Sequence, residues 1–391
     1  MIWSLNLSSK PVNKLEETRK KYLKKIKKVV VKIGSSSLTS PMGGLDMDNL
    51  MKFTSEISDI WDQGLKTIIV TSGAIAAGIK YLGLNEKPGK FPELQAVAAV
   101  GQHDLMRVYS SFFYKMNKKV GQILLSREDT TKREQYLNIK NTIISLLGMN
   151  VIPIINENDS VALDEIKFGD NDTLAALVAG LTEADLLIIL SDINGLYSKN
   201  PQVFKNAELI SIVRSVDEDI EKIAGGIGSS YGSGGMITKI RAAKICSFSG
   251  IPMVIANSRK ENILKNILSG ADTGTFFVPE ESKKIASIKR WIAFGMITKG
   301  SIRIDKGAEE AIVRKGKSLL PVGVTEVNGK FVKGDNIAII SSDDRTIAKG
   351  ITNFTSDEIM MIKGKREDKI MEEFGCSLCC EIIHRDSMFV L

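Results

Sequence analysis

The sequence predicts an α/β protein in which a mostly parallel sheet is sandwiched by helices and is followed by a small β-barrel-like domain. Three observations predict this fold. Between residues 29 and 255, short strands that are apolar throughout alternate with segments of helical periodicity, which is typical of a parallel sheet buried on both faces. After residue 300, short strands are separated by glycine turns, as in a small barrel. The chain of 391 residues is long enough for two such domains.

The elements of the first domain each have a local signal. The β-branched run Val29–Ile33 predicts a buried strand that ends at a glycine–serine turn. Helical spacing over Asp48–Trp61 is stopped by Gly64. The other strands are predicted at Thr67–Val70, Gln122–Leu125, Val151–Ile155, Leu186–Leu190 and Pro252–Ile255. The other helices are predicted at Glu93–Lys115, Glu134–Leu147, Asn171–Ala179 and Met236–Ser247.

The pattern changes near residue 280, where Glu280–Lys289 is charged and lacks strong apolar periodicity. We therefore predict a linker in this region, between the two domains. The predicted boundaries are an N-terminal extension at 1–28, a first domain at 29–279, a linker at 280–294, a second domain at 295–375 and a tail at 376–391. Strands of the second domain are predicted at Ser301–Ile304, Val322–Val327, Asn336–Ile340 and Ile347–Ile351.

The net charge of +7 is confined to the N-terminal extension. Residues 1–28 hold nine basic and two acidic side chains, so the rest of the chain is neutral overall. Leu15, Tyr22, Leu23 and Ile26 form an apolar stripe at helical spacing in this extension. The stripe is compatible with a surface helix for anionic lipid or nucleic acid, but we favour a solvated helix lying on the first domain.

The cysteines and the ends of the chain indicate a cytoplasmic protein. No apolar run approaches the roughly 18–20 residues of a membrane span, and the first residues do not have the order of a secretory signal. Cys376, Cys379 and Cys380 with His384 have the donor types of a zinc site. Since adjacent cysteines are awkward joint ligands, we favour free thiols in a reducing compartment and predict no metal ligands.

Polar residues cluster where the predicted strands end, which is the edge at which open α/β sheets bind ligands. Lys32 and a glycine–serine turn mark the end of the first strand, and Ser72 follows the second. A second glycine-rich turn, Gly232–Met236, leads into the helix that carries Lys239. Such turns suit phosphate oxygens, and the two lysines can neutralise a polyphosphate. These residues favour a nucleotide-dependent phosphotransferase, although the chain has no P-loop: Gly316-Lys317-Ser318 lacks the glycine required five residues earlier.

The small number of histidines bears on the acceptor. The chain has two, His103 and His384, and neither lies in these loops. An alcohol acceptor needs a base, whereas a carboxylate with a pKa of about 4 is already ionised at pH 7. The scarcity of bases is compatible with a carboxylate acceptor, although Asp159, Asp170 or Asp172 could still serve as a base.

These loops lie in motifs that resemble the amino-acid kinase family, and within it the branch that acts on glutamate. The motifs are VVKIGSS at 30–36, TSGAIAAG at 71–78, INEND at 155–159, GDND at 169–172 and GGMITK at 234–239. The run GKSLLPVGV at 316–324 resembles a PUA domain. The resemblance covers roughly residues 29–385 and departs from the family pattern in the extension 1–28 and in the cysteine-containing tail.

The resemblance implies an amino-acid kinase fold and an ATP-dependent transfer of the γ-phosphoryl group to the side-chain carboxylate of L-glutamate. The product would be L-glutamyl 5-phosphate, in the first step of proline biosynthesis. It also implies Mg²⁺ bound largely through ATP, and feedback inhibition by proline. We further expect a homo-oligomer. PUA modules elsewhere bind RNA, but residues 291–364 have a net charge of only +2, so we do not expect RNA binding here.

By motif position, the resemblance also assigns roles to residues. Lys32 and Lys239 would contact phosphoryl oxygens, and Asp170 would orient them. Ser72, Asp159 and Asn171 would bind glutamate. The ATP site would be formed by Lys32, Ser191, Asp192, Ser233, Gly234, Gly235, Met236, Ile237, Thr238 and Lys239. Lys167 and Asp172 lie in the same substrate loop, with roles left open.

Two alternatives remain open at this point. The first is another member of the family, acting on uridylate, aspartate, acetylglutamate or carbamate. The second is an RNA-binding protein that uses the PUA-like part and the basic extension.

Overall fold

The computed structural model describes residues 12–40, 42–126, 129, 133–161, 171–225, 235–280, 298–374 and 381–391. These residues form two compact units, and the chain passes from the first unit to the second between residues 280 and 298. The strands of the first unit are β1 (Lys28–Ile33), β2 (Lys66–Val70), β3 (Lys119–Leu125), β4 (Val151–Glu157), β5 (Leu186–Ser191), β6 (Ile212–Val213), β7 (Met253–Asn257) and β8 (Thr275–Phe277).

These strands form one sheet with the order β3-β4-β2-β1-β5-β7-β8-β6. All neighbouring strands are parallel except β7 and β8. The predicted mostly parallel sheet is therefore confirmed. Its helices are α1 (Val12–Leu23), α2 (Ser35–Leu38), α3 (Met47–Asp62), α4 (Ala74–Tyr81), α5 (Phe91–Lys115), α6 (Arg133–Gly148), α7 (Asn171–Thr182), α8 (Glu218–Ala224), α9 (Met236–Phe248) and α10 (Ile263–Leu268).

Strand β1 lies at the centre of the sheet and is fully enclosed. Its valines and Ile33 are inaccessible to solvent, because β2 and β5 flank it and helices cover the sheet. The register places Lys32 opposite Val70 of β2 and opposite Ile189 of β5. Since these strands are parallel, the loops that follow them lie together at one edge of the sheet.

The turn after β2 is held in place by a close crossing of α4 and α5. Gly73 begins α4 with a left-handed backbone (φ +97°) that favours glycine. Further along, a Cβ atom on Gly101 would lie 1.8 Å from the carbonyl oxygen of Ala74, and one on Gly78 would lie 2.0 Å from that of Val97. The two backbones approach so closely that only glycine fits, and this contact fixes the turn that carries Ser72.

Helix α1, from the basic extension, packs on the first unit through Arg19. The Arg19 guanidinium is buried and donates hydrogen bonds to the carbonyl oxygens of Ala271, Thr273, Ser211 and Gly274 at 2.7–3.0 Å. It also forms an ion pair of 2.8 Å with Asp272. The most buried basic residue of the extension thus binds protein rather than facing solvent.

The second unit is built on a five-stranded sheet. Its strands are β9 (Thr298–Ile304), β10 (Val324–Asn328), β11 (Asn336–Ile340), β12 (Thr346–Ile351) and β13 (Met388–Val390), in the order β10-β9-β11-β12-β13. Helices α11 (Lys306–Val313), α12 (Ser356–Ile362) and α13 (Glu367–Phe374) accompany it. A core of buried Ile, Leu, Val and Phe side chains holds this unit together.

One predicted strand of this unit is wrong at its start. Residues Pro321–Gly323 form a 3-10 turn, and the strand begins only at Val324. Proline lacks the N–H group that a sheet ladder requires, and a Cβ atom on Gly323 would lie 2.5 Å from that of Ala308. The turn therefore forms where the helix α11 passes close by.

Candidate active site

The centre of the candidate site is the Asp172 carboxylate, which lies between two lysines. One oxygen, Oδ1, lies 2.6 Å from Nζ of Lys32. The other, Oδ2, accepts hydrogen bonds from Nζ of Lys239 at 3.1 Å and from Oγ1 of Thr238 at 2.8 Å. Both lysines are about 95% buried, and Asp172 is completely buried. Three charged side chains therefore share one enclosed position.

Three different elements bring these side chains together. Lys32 extends from β1, Asp172 lies in the first turn of α7, and Lys239 lies in the first turn of α9. Helix α7 packs against both α9 and β1. Lysine is rare in a buried strand unless it is paired, and here the pairing is supplied by a helix that begins far along the chain.

The electrostatics of this cluster favour an anion. Burial raises the pKa of the Asp172 carboxyl, but the ammonium groups of Lys32 and Lys239 outweigh it and hold the pKa below its ordinary value. Asp172 is therefore ionised at neutral pH. Two ammonium groups and one carboxylate leave a net charge of about +1 in a region that excludes water, where it attracts an anionic ligand strongly.

The start of α9 adds further groups suited to phosphate. Gly235 precedes the helix, and no side chain caps its first turn. The first N–H groups of a helix have no partner within the helix and carry a positive partial charge. Ile237 is exposed here, whereas Thr238 and Lys239 turn inward to Asp172. This combination can bind phosphate oxygens.

A chain of side-chain hydrogen bonds links the turn after β2 to α7. Nδ2 of Asn171 donates to Oγ of Ser72 at 2.8 Å and to Oδ1 of Asn156 at 3.1 Å. Nδ2 of Asn156 in turn donates to Oε1 of Gln102 at 2.7 Å. The structure therefore brings together Ser72 and Asn171, which were both predicted to bind glutamate. Sequence analysis missed Gln102, since one glutamine within a helix gives no signal.

A cavity of about 220 Å³ opens beside this chain. Its polar lining includes Asp159, the third residue predicted to bind glutamate, and Gln102. Small side chains leave room on the helical side, where α4 and α5 contribute alanines. The full lining is Ala74, Ala98, Ala99, Gln102, Leu124, Glu157, Asn158, Asp159 and Ser160.

The two residues predicted for ATP after β5 lie at the same edge of the sheet. Oγ of Ser191 donates to Oδ1 of Asp192 at 3.0 Å. The loop after β7 binds back to them, because the N–H of Ser258 donates to the carbonyl oxygen of Ser191 at 2.8 Å. Ser191 and Asp192 are thus held in a fixed position next to the end of β1, whose Gly34 N–H donates to Leu190.

Several predicted residues lie outside the described part of the chain. They are Lys167, Asp170, Ser233, Gly234, Cys376, Cys379 and Cys380. The orienting role of Asp170 and the state of the cysteines therefore remain predictions. Within the described residues, no group of three or more His, Cys, Asp or Glu side chains could hold a metal ion. The described helices also include none with the length and hydropathy needed to cross a membrane.

Comparisons with known proteins match both units of the chain. The model of the amino acid kinase family matches residues 27–257, and that of the PUA domain matches residues 300–374. A glutamate 5-kinase of Caldanaerobacter subterraneus subsp. tengcongensis is 47% identical over 364 residues, which cover 93% of this chain and 98% of that protein. A glutamate 5-kinase of Carboxydothermus hydrogenoformans is 48% identical over 370 residues, covering 94% and 99%.

Proposed function

Because this chain belongs to the amino acid kinase family, we propose that it transfers the γ-phosphoryl group of ATP to the side-chain carboxylate of L-glutamate. The product is L-glutamyl 5-phosphate, which enters proline biosynthesis. The observation that carries the proposal is the pairing of Lys32 and Lys239 across Asp172, linked through Asn171 to a cavity of metabolite size. The near full-length similarity to glutamate 5-kinases supports glutamate as the acceptor.

The transfer needs no base on the acceptor. The glutamate carboxylate is ionised at neutral pH, so one of its oxygens attacks the γ-phosphorus directly. The new bond joins carboxylate oxygen to phosphorus, the bond from the γ-phosphorus to the bridging oxygen breaks, and ADP leaves with that electron pair. The remaining task is to bring two anions together and to offset the charge on the transferred group.

Lys32 and Lys239 supply that charge. Their ammonium groups are held by Asp172 at fixed positions, so they need little reorganisation as charge moves to the leaving oxygen. The uncapped start of α9, with Gly235, Met236, Ile237 and Thr238, offers N–H groups to the phosphates. Ser191 and Asp192 line the nucleotide, together with Ser233 and Gly234.

Mg²⁺ would be bound through ATP, where it would supply neutralisation of part of the phosphate charge. Asp172 is already engaged by two ammonium groups, and the donors suited to Mg²⁺ are oxygen ligands. The phosphates of ATP would therefore provide most of its ligands. The described residues include no cluster of three or more side chains that could form a metal cage, and their role in this proposal is to position the nucleotide.

Ser72, Asp159 and Asn171 bind the acceptor. Asp159 lines the cavity, and its negative charge attracts the glutamate ammonium. Asn171 is the first residue of α7 and precedes Asp172. It therefore lies between the acceptor and the phosphate site. Inhibition by proline, assembly as a homo-oligomer and a cytoplasmic location belong to the same proposal, whereas RNA binding does not.

An acceptor panel tests the proposal. ADP release is measured with L-glutamate, aspartate, acetylglutamate, uridylate and carbamate as acceptors. Hydroxylamine in a parallel reaction converts an acyl phosphate into a hydroxamate, which distinguishes carboxylate transfer from ATP hydrolysis. We expect ADP release and hydroxamate with glutamate, reduced when proline is added. Turnover with another acceptor and none with glutamate would refute it.

A further inference from the structure

We propose that Gln102 binds the α-carboxylate of the acceptor amino acid through its Nε2 amide group. The inference rests on the proposed function, and it adds the residue that selects an amino-acid end group in the acceptor cavity. Gln102 lies in the middle of α5, far along the sequence from the glycine-rich turns and from the polar loop that follows β4. It is buried and lines the same cavity as Asp159.

The hydrogen-bond chain fixes which end of the Gln102 amide is left without a partner. Asn171 donates to Oδ1 of Asn156, and Nδ2 of Asn156 donates to Oε1 of Gln102. The oxygen of the Gln102 amide is therefore occupied, and its NH₂ group is left over. Nε2 of Gln102 is buried and has no hydrogen-bond partner in the protein.

A buried donor without a partner is unfavourable in a folded protein, and such groups are uncommon. Gln102 lines a cavity, so a ligand that enters the cavity can satisfy this donor after a small shift of the amide. An NH₂ group with two hydrogens and no free acceptor selects a ligand oxygen. The described lining of the cavity otherwise contains acidic or small polar side chains beside alanines and a leucine, and therefore offers few other donors.

The chemistry of the acceptor decides which oxygen this is. Glutamate has two carboxylates, and the reacting one must approach the phosphoryl group beside Lys32 and Lys239. Neither lysine lines the cavity. The cavity therefore takes the other end of the molecule, which carries an ammonium group and the α-carboxylate. Asp159 matches the ammonium, and the Gln102 NH₂ group matches the carboxylate.

The packing of α4 and α5 holds Gln102 in a defined position beside the cavity. Ala98, Ala99 and Gln102 lie three and four residues apart on α5, and all three line the cavity. They share one helical face. The α5 backbone is held against α4 by the contact of Gly101 with Ala74. Gln102 is thus fixed in position on both sides, by its neighbour in the helix and by Asn156.

This role is tested by combining one substitution in the protein with one change in the acceptor molecule. Gln102→Glu keeps the shape and an oxygen for Asn156, but replaces the donor with an anion. Steady-state kinetics are measured with L-glutamate and with its α-amide, which retains the side-chain carboxylate and lacks the α-carboxylate charge. We expect Gln102→Glu to raise the KM for glutamate at least about tenfold. The KM for ATP should not change, and the KM for the α-amide should change less than about threefold.

Two further variants complete the test. Gln102→Met has nearly the same length but neither donor nor charge, so it should show the same selectivity with a smaller effect. Gln63→Glu makes the same chemical change at an exposed position between α3 and β2, at the opposite edge of the sheet, and should match the wild type. Thermal unfolding of each variant verifies that it is folded.

The outcomes separate this inference from the proposed function. If the wild type does not phosphorylate glutamate, both fail. If it does, and Gln102→Glu and Gln102→Met raise the KM for glutamate and for the α-amide equally, Gln102 only supports the cavity and the inference is wrong. An unchanged KM for glutamate in both variants would also overturn it. A loss confined to the acceptor with the α-carboxylate would establish it.

Discussion

Asp172 and Lys32 lie 2.6 Å apart at the centre of the first unit, although one begins a helix and the other ends a strand. Lys239 binds the second oxygen of the same carboxylate. The two ammonium groups therefore share one buried counter-charge. This arrangement explains how a site that must attract phosphate can carry two buried lysines in the absence of substrate.

Replacing Asp172 by Asn removes this shared counter-charge and keeps the side-chain shape. We expect kcat to fall about 100-fold or more, because the lysines repel each other and lose their fixed positions. The free energy of unfolding should fall by about 3 kcal/mol, since two buried cations lose their partner. Turnover assays and denaturant unfolding measure both effects. Asp59→Asn, at an exposed position of α3, is the control. A near-normal kcat in Asp172→Asn would contradict the role of Asp172 in positioning the two lysines.

The same ion pairs predict a pH dependence of stability. The pKa of Asp172 is lowered in the folded protein, so its contribution to stability is complete above pH about 4, the ordinary value for an unfolded aspartate. It is lost as the pH falls below that value towards the folded pKa. The difference in Tm between the wild type and Asp172→Asn should therefore narrow below pH about 4. A difference that stays constant down to pH 3 would show that the carboxylate is not held in its ionised form.

Lys32→Ala and Lys239→Ala should each lower kcat by about two to three orders of magnitude. Each removes one of the two charges that offset the transferred phosphoryl group. The fold should persist, because Asp172 keeps the other lysine and Thr238 as partners. Circular dichroism and turnover assays check both statements. Lys265→Ala, at an exposed position of α10, is the control and should leave kcat unchanged. Equal turnover in all three variants would show that the phosphate site does not lie at Lys32 and Lys239.

Asp159→Ala should act on the acceptor rather than on ATP. Asp159 lines the cavity, and neither lysine does. The KM for glutamate should therefore rise about tenfold or more, because a charge-assisted contact with the ammonium is lost. The KM for ATP serves as the internal control and should stay the same. An unchanged KM for glutamate would remove Asp159 from the acceptor site.

Gly101→Ala should destabilise the first unit severely. The added methyl group would lie 1.8 Å from the carbonyl oxygen of Ala74, so α4 and α5 must separate. We expect a loss of about 3 kcal/mol in the free energy of unfolding. Gly148→Ala is the matched control, because its methyl group at the end of α6 would meet nothing within 4 Å. Similar denaturation midpoints for the two variants would argue against the close crossing.

Arg19→Ala tests whether the extension belongs to the folded unit. It removes a buried guanidinium that binds four backbone carbonyl oxygens and Asp272. We expect the free energy of unfolding to fall by about 3 kcal/mol, whereas kcat well below the Tm should stay the same. Lys25→Ala, at an exposed position after α1, should change neither. Deletion of residues 2–28 should likewise lower the Tm and leave kcat largely intact, and a collapse of kcat would place the extension in the active enzyme.

The sequence determined the parallel core and the edge at which the site lies. Apolar strands such as Val29–Ile33 are long and uniform enough to be identified alone, and the predicted mostly parallel sheet was confirmed. The shortest strands, Ile212–Val213 and Thr275–Phe277, were missed, because two or three residues carry no periodicity and form only when a neighbouring strand supplies hydrogen bonds. The antiparallel pairing of β8 with β7 was invisible for the same reason.

The motifs also predicted Lys32, Lys239 and the turn that carries Ser72 as site residues, because lysine or serine close to a glycine-rich turn suits phosphate chemistry. Only the tertiary structure decided that Asp172 is the carboxylate shared by the lysines, that Gln102 lines the same cavity as Asp159, and that Arg19 is buried. A side chain in a helix reveals its type in the sequence but not its direction. The partners of these three residues come from distant elements, and packing alone brings them within hydrogen-bond distance.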